Sequence, residues 1–154
     1  MEVISSDVVK NICFEMRKYP ESRMSQEASR FLRQQPQLVQ FLQEFTQDFK
    51  LEVQQLSLYL SYWIWKACTK GWGRKMPRLD WTLCYHCFLK ERETWKDQET
   101  LLSRKSTQPH LIHFLGNLIQ EDHSDLFKED VGKSSIVLIL RCVIAAFEKA
   151  VSHA

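Results

Sequence analysis

The stretch from Leu56 to Cys68, which reads LSLYLSYWIWKAC, decides the fold class of this chain. It carries one charge, at Lys66, and apolar or aromatic side chains on nearly every side of a helix drawn through it. A helix that is apolar all round is buried in a core or in an interface. We therefore expect this stretch to be the central element of the fold.

The same helical spacing continues upstream of this stretch. Apolar residues from Leu38 to Ala67 recur at steps of three or four, close to the 3.6 residues of an α-helical turn. Pro36 suits a first helical turn, and a glycine at position 71 suits a helix end. The pattern predicts one long central helix over Pro36–Lys70.

Glycine and proline are scarce in the rest of the chain, with four of each in 154 residues. A β-sandwich or barrel needs turn residues about every 8–12 positions, so this scarcity argues against an all-β fold. No glycine-rich phosphate loop of Rossmann or P-loop spacing is present either. We predict an all-α, single-domain bundle of five to six helices over residues 1–154. Besides the central helix, the predicted helices are Ser6–Lys18, Ser22–Gln35, one that starts after Asp80 as its N-cap and reaches as far as Arg104, one from Pro109, a short turn at Ser124–Lys128, and Ser134–Val151.

The charge balance and the cysteine content limit the classes of function that fit this chain. The 21 Lys and Arg residues nearly balance the 19 Asp and Glu residues, which does not favour sequence-independent DNA binding. The longest uncharged apolar runs fall short of the ~18 residues that a membrane span needs. Residues 1–10 lack the apolar core of a signal peptide, and the five cysteines are an odd number. We therefore expect a cytoplasmic protein with reduced thiols and no membrane span.

Cys84-Tyr-His-Cys87 is a C-x-x-C motif near a predicted helix start. Such a pair can act as a redox dithiol, because the helix dipole lowers the pKa of its first thiol. The strand that precedes the pair in thioredoxin-like proteins is not predicted here. Cys84 shares an apolar stripe with Trp81 and Phe88, which favours a structural role. A thiol-redox or metal-binding function of Cys84 and Cys87 stays open as the first alternative.

The same two cysteines combine with His110 and His113 into a spacing that superficially suits a Cys₂His₂ zinc site. Along a continuous helix, Cys87 would lie about 28 Å from the start of the next helix. Zinc bonds are only about 2.0–2.3 Å long, so the four ligands would not converge unless that helix breaks near Lys96–Asp97. His110 and His113 also fall opposite to the apolar stripe of their helix, so we expect them to face solvent. The sequence therefore assigns no metal, no cofactor and no catalytic residue.

Residues 66–78 form a basic segment, with no acid anywhere between Val53 and Leu79. Its cations could contact an anion or a nucleic acid, with Trp72 available for stacking on a base. They also suit a helix C-terminus, whose carbonyl groups carry partial negative charge. Residues 121–130 are strongly acidic, so the two segments could pair within the fold or across a subunit interface. Nucleic-acid or anion binding through residues 66–78 is the second alternative.

The aromatic residues of the central helix point to a contact surface. Trp63 and Trp65 lie about 200° apart around the helix, so one face cannot bury both. Tyrosine and tryptophan are favoured in interface hot spots. We predict a non-catalytic helical protein-interaction module that self-associates as a homodimer, and we favour this over a nucleic-acid partner. The predicted interaction surface consists of Tyr62, Trp65, Trp72, Arg74 and Arg78.

Overall fold

The computed structural model describes residues 2–93, 106–122 and 130–153. Seven α-helices and no strand occupy these residues, which confirms the all-α class with more helices than the predicted five or six. Within the described ranges, no helix has the length and apolar character to cross a membrane. The helices are α1 (Ser6–Arg17), α2 (Glu21–Gln34), α3 (Pro36–Thr46), α4 (Leu51–Gly71), α5 (Trp81–Glu93), α6 (Pro109–Asp122) and α7 (Asp130–Ser152).

The prediction of one continuous helix over Pro36–Lys70 is wrong, because the chain turns at residues 47–50 and divides into α3 and α4. In this turn the Phe49 N–H donates to the Thr46 carbonyl, and the Gln54 side-chain amide donates to the Phe49 carbonyl. Phe49 still packs against the core. The apolar spacing therefore runs through the turn unchanged, and periodicity alone could not reveal the break.

The second half of α4 is the centre of the core, as the sequence predicts. Every residue from Leu60 to Cys68 is buried. On one side of α4, Trp63 stacks on Phe114 of α6 with ring centroids 4.8 Å apart. On another side, the ring centroid of Trp65 lies 5.6 Å from that of Phe31 of α2. Both aromatic faces of α4 are thus covered inside the domain.

Helices α5 and α7 pack closely and form the other part of the core. Helix α7 is buried from Ile136 to Ile144. Helix α5 begins after the predicted N-cap, Asp80, whose carboxylate accepts a hydrogen bond from the Leu83 N–H at 2.7 Å. The predicted continuation of α5 to Arg104 and the predicted turn at Ser124–Lys128 lie outside the described residues.

The loop between α4 and α5 is held in place by the junction of α2 and α3. Gln35 accepts a hydrogen bond from the Leu79 N–H at 2.9 Å and donates one to the Pro77 carbonyl at 2.8 Å. Gly73 adopts a φ of 61°, a left-handed conformation that glycine takes without strain. These contacts fix the course of the basic segment after α4 ends.

Candidate binding site

A surface cleft of about 400 Å³ lies where the end of α1, helix α2 and the second half of α4 meet, and we call it the α2–α4 cleft. Its volume falls within the roughly 300–1,000 Å³ that small-ligand sites occupy. Cations outnumber acids in its lining, so the cleft favours a negatively charged ligand. The charged lining residues are the cations Arg23, Arg30, Lys66, Lys70 and Lys75 and the acids Glu15 and Glu27.

Lys66 lies in the wall of the cleft and is only 8% exposed. Its ammonium group donates to the Tyr19 hydroxyl at 2.6 Å and lies 3.4 Å from the Glu27 carboxylate. These partners offset the cost of burying a charge, which is high for an unpaired group. Lys66 therefore places a buried, paired positive charge in the wall of the cleft.

Glu27 is held from its other side by Tyr62. The Tyr62 hydroxyl lies 3.4 Å from the second Glu27 carboxylate oxygen and donates to it. Burial, and then the negative charge of Glu27, raise the pKa of Tyr62 well above its ordinary value. Tyr62 is therefore a neutral donor at physiological pH, and Glu27 is fixed between a cation and a hydroxyl.

Two polar atoms of the cleft-lining residues are buried without a hydrogen-bond partner among the described residues: Trp65 Nε1 and Gln34 Oε1. The indole N–H requires an acceptor, whereas the amide oxygen requires a donor. A buried polar group that lacks a partner costs about 1–3 kcal/mol. A ligand that presents an acceptor and a donor side by side would satisfy both atoms.

The structure separates the five predicted interaction residues into two groups. Tyr62 and Trp65 are buried beside the cleft with ring centroids 6.0 Å apart, and Trp65 lines it. Trp72 is half-buried, and its indole N–H donates to the Glu2 carbonyl at 2.9 Å. Arg74 and Arg78 are exposed in the loop between α4 and α5. Trp72, Arg74 and Arg78 are not part of the cleft lining, so the five residues do not form one site.

Sequence reasoning missed the contribution of α2 to the cleft. Arg23, Glu27, Arg30 and Gln34 follow one another at steps of four, three and four, so they form one polar stripe along α2. That stripe is visible in the sequence. What the sequence does not show is that the stripe faces α4, because polar stripes usually face solvent.

Cys84 and Cys87 are buried in α5, and the Cys142 thiol of α7 donates to the Cys84 carbonyl at 3.1 Å. Burial raises the pKa of Cys84 to about 12 and also raises the pKa of Cys87 and of Cys142. The thiolate, which is the nucleophile and the metal ligand, is therefore disfavoured at all three positions.

The histidines of the zinc hypothesis lie elsewhere on the surface. His110 and His113 are exposed on α6, as their helical phase predicts, and His86 is exposed on α5. In the part of the chain that the structure describes, no three His, Cys, Asp or Glu side chains are grouped to hold a metal ion. All five cysteines are free thiols.

No protein-family model, no curated protein and no solved structure matches this chain. The function therefore has to be inferred from the chain's own chemistry. Among the described residues, the α2–α4 cleft combines surplus positive charge, a buried cation and unpartnered polar atoms at one place. We take it as the candidate binding site.

Proposed function

We propose that this protein is a non-catalytic helical module that binds another protein at the α2–α4 cleft. The observation that carries the proposal is the buried, unpartnered Trp65 N–H in a cleft lined mainly by cations. Buried polar groups are almost always hydrogen-bonded, so an orphan donor beside an open cleft suggests that a bound partner supplies the acceptor.

The chemistry of the cleft favours binding over catalysis. Its lining contains no histidine and no cysteine, and the buried pair Lys66–Glu27 is engaged within the protein. The thiol alternative at Cys84 and Cys87 loses support, because burial raises the pKa of both groups. A nucleophilic thiol needs the opposite shift.

The two unpartnered atoms, Trp65 Nε1 and Gln34 Oε1, suit a peptide backbone better than a phosphate group. A phosphodiester group offers hydrogen-bond acceptors only, which would satisfy Trp65 Nε1 and leave Gln34 Oε1 unpaired. A peptide backbone offers both donors and acceptors. The formal net charge of the chain, +2, is also small for a protein that binds nucleic acid through its phosphates.

A second copy of this chain is the partner that we propose. Residues 121–130 carry five acids and one lysine, which is complementary to the cations of the cleft. Arg74 and Arg78 place further positive charge in the exposed loop after α4. The protein would then act as a homodimer, and its five free cysteines suit the reducing cytoplasm as its location.

Sedimentation equilibrium tests this proposal directly. We expect a salt-sensitive dimer, because attraction between exposed charges weakens as salt is added. Replacing Arg30→Glu together with Lys70→Glu reverses two charges of the cleft and should weaken dimerisation at least tenfold. The control Lys50→Glu with Arg92→Glu makes the same change of net charge at exposed positions outside the cleft lining. A strict monomer at high micromolar concentration, or equal dimerisation of the two variants, would contradict the proposal.

A further inference from the structure

We infer that the α2–α4 cleft binds one residue of an extended, acidic peptide segment through its backbone, an inference that rests on the proposed function. The peptide carbonyl accepts from Trp65 Nε1, and the peptide N–H donates to Gln34 Oε1, once side-chain movements on binding expose these two atoms, which are covered in the free protein. Both protein atoms are buried and unpartnered, and both residues line the cleft.

Both side chains line the α2–α4 cleft, Gln34 from α2 and Trp65 from α4. Phe31 precedes Gln34 by three residues, so the two lie on one face of α2. The Phe31 ring contacts the Trp65 ring at a centroid distance of 5.6 Å. The face of α2 that carries Phe31 and Gln34 therefore packs towards Trp65 of α4.

One residue of an extended backbone can form hydrogen bonds with Trp65 Nε1 and Gln34 Oε1 at the same time. In a β-strand the N–H and C=O groups of one residue point to the same side, as they do when two antiparallel residues exchange both hydrogen bonds. One residue of an extended peptide can thus donate to Gln34 and accept from Trp65. A helical segment cannot do this, because its N–H and C=O groups are already bonded within the helix.

The positive charges around Trp65 Nε1 and Gln34 Oε1 favour acidic side chains on the bound segment. Lys66 places a buried cation in the wall of the cleft, and Lys70 and Lys75 add exposed cations to the lining. A shallower concavity of about 450 Å³ lies alongside, shares Arg23, Glu27 and Arg30 with the cleft, and is also lined by Arg33. The two together form a continuous, mostly basic path along α2 that suits a segment several residues long.

Isothermal titration calorimetry of the full chain with synthetic peptides tests the inference. The probe is the decapeptide EDHSDLFKED, acetylated and amidated, which copies residues 121–130. Its counterpart has every Glu and Asp replaced by Gln and Asn. We expect the acidic peptide to bind at least tenfold more tightly than the neutral one at low salt.

Two variants test the backbone contacts separately from the charges. Gln34→Leu removes the acceptor and Trp65→Phe removes the donor, and each should weaken binding of the acidic peptide about tenfold. The matched controls are Gln43→Leu, an exposed glutamine of α3, and Trp72→Phe, an indole outside the cleft. Each control should bind the peptide within about twofold of the parent. If the two cleft variants bind as well as their controls, the inference is overturned.

Binding measurements with other ligands distinguish an acidic peptide from a nucleic acid or phosphate as the occupant of the cleft. A single-stranded oligonucleotide or inorganic phosphate that binds more tightly than the acidic peptide would overturn the inference. A cleft-dependent dimer that Gln34→Leu leaves intact would overturn it while the proposed function stands. Absence of both self-association and acidic-peptide binding would remove the proposed function as well.

Discussion

The contact between α5 and α7 and the α2–α4 cleft both place chemically active side chains in buried positions, but they differ in what those side chains contact. Between α5 and α7, the Cys142 thiol donates to a backbone carbonyl, and burial keeps the thiols of Cys84 and Cys142 neutral by raising the pKa of each. In the cleft, Trp65 Nε1 and Gln34 Oε1 are buried next to charged groups and have no partner among the described residues.

Burial of the thiols between α5 and α7 stabilises the core, whereas burial in the cleft leaves polar atoms without hydrogen-bond partners. A buried cysteine behaves as a small apolar residue when nothing stabilises its thiolate. A buried donor without an acceptor is costly, and it persists only where the surrounding fold or a ligand compensates for it. By that criterion we propose the cleft as the functional region and a structural role for the cysteines of α5 and α7.

The largest expected effect comes from the core. Phe147 of α7 is completely buried, so Phe147→Ala should lower the free energy of unfolding by about 3–5 kcal/mol through lost burial and a residual cavity. Urea denaturation measures this change. The control Leu32→Ala removes a side chain that is 46% exposed on α2 and should cost less than about 1 kcal/mol. Equal losses for both variants would mean that α7 does not hold the core.

An intermediate effect is expected in the wall of the cleft. Lys66→Met leaves the Glu27 carboxylate without its cation, and we expect a loss of about 1–3 kcal/mol in the free energy of unfolding. Adding Glu27→Gln neutralises the orphan charge and keeps an acceptor for the Tyr62 hydroxyl. The double variant should therefore recover most of the loss, since neutral replacements of a buried ion pair are often tolerated. Failure of the second change to restore stability would argue against a coupled pair.

The smallest effect, for pH values just above about 9, is the pH dependence that the buried thiols contribute. Burial raises the pKa of Cys84 in the folded state to about 12, above its ordinary value of 9.0, so the unfolded state releases its proton first as pH rises. The stability that Cys84 contributes is complete below its unfolded pKa and is lost as the pH rises from about 9 towards 12. The slope is at most about 1.4 kcal/mol per pH unit for one thiol. Denaturation of the parent and of Cys84→Ala across this window should differ in slope, and identical slopes would show that the thiol ionises freely in the fold.

The sequence predicts the fold class well because a few local signals determine it. The apolar stretch from Leu56 to Cys68 identifies the buried helix, and Asp80 marks the start of α5. The turn at residues 47–50 was not predictable from periodicity, because Phe49 keeps the apolar spacing across it.

The candidate site was predicted only in part. Trp65 and the cations of the basic segment were singled out by composition, and Trp65, Lys66, Lys70 and Lys75 do line the cleft. The opposite wall comes from α2, more than 30 residues earlier in the chain. Its polar stripe has no local sign that it faces another helix, so the pairing depends on tertiary packing that one sequence does not reveal.

The indole N–H resonance of Trp65 tests the central claim most directly. In a ¹H–¹⁵N spectrum, the Trp65 signal is identified by its loss in Trp65→Phe, and the four other tryptophans serve as internal references. Titration with the acidic decapeptide should shift the Trp65 resonance downfield as its N–H gains an acceptor, while the signal of Trp63, buried against Phe114, stays in place. An unchanged Trp65 resonance at saturating peptide would show that a water or the protein itself already satisfies this donor, and it would contradict the account.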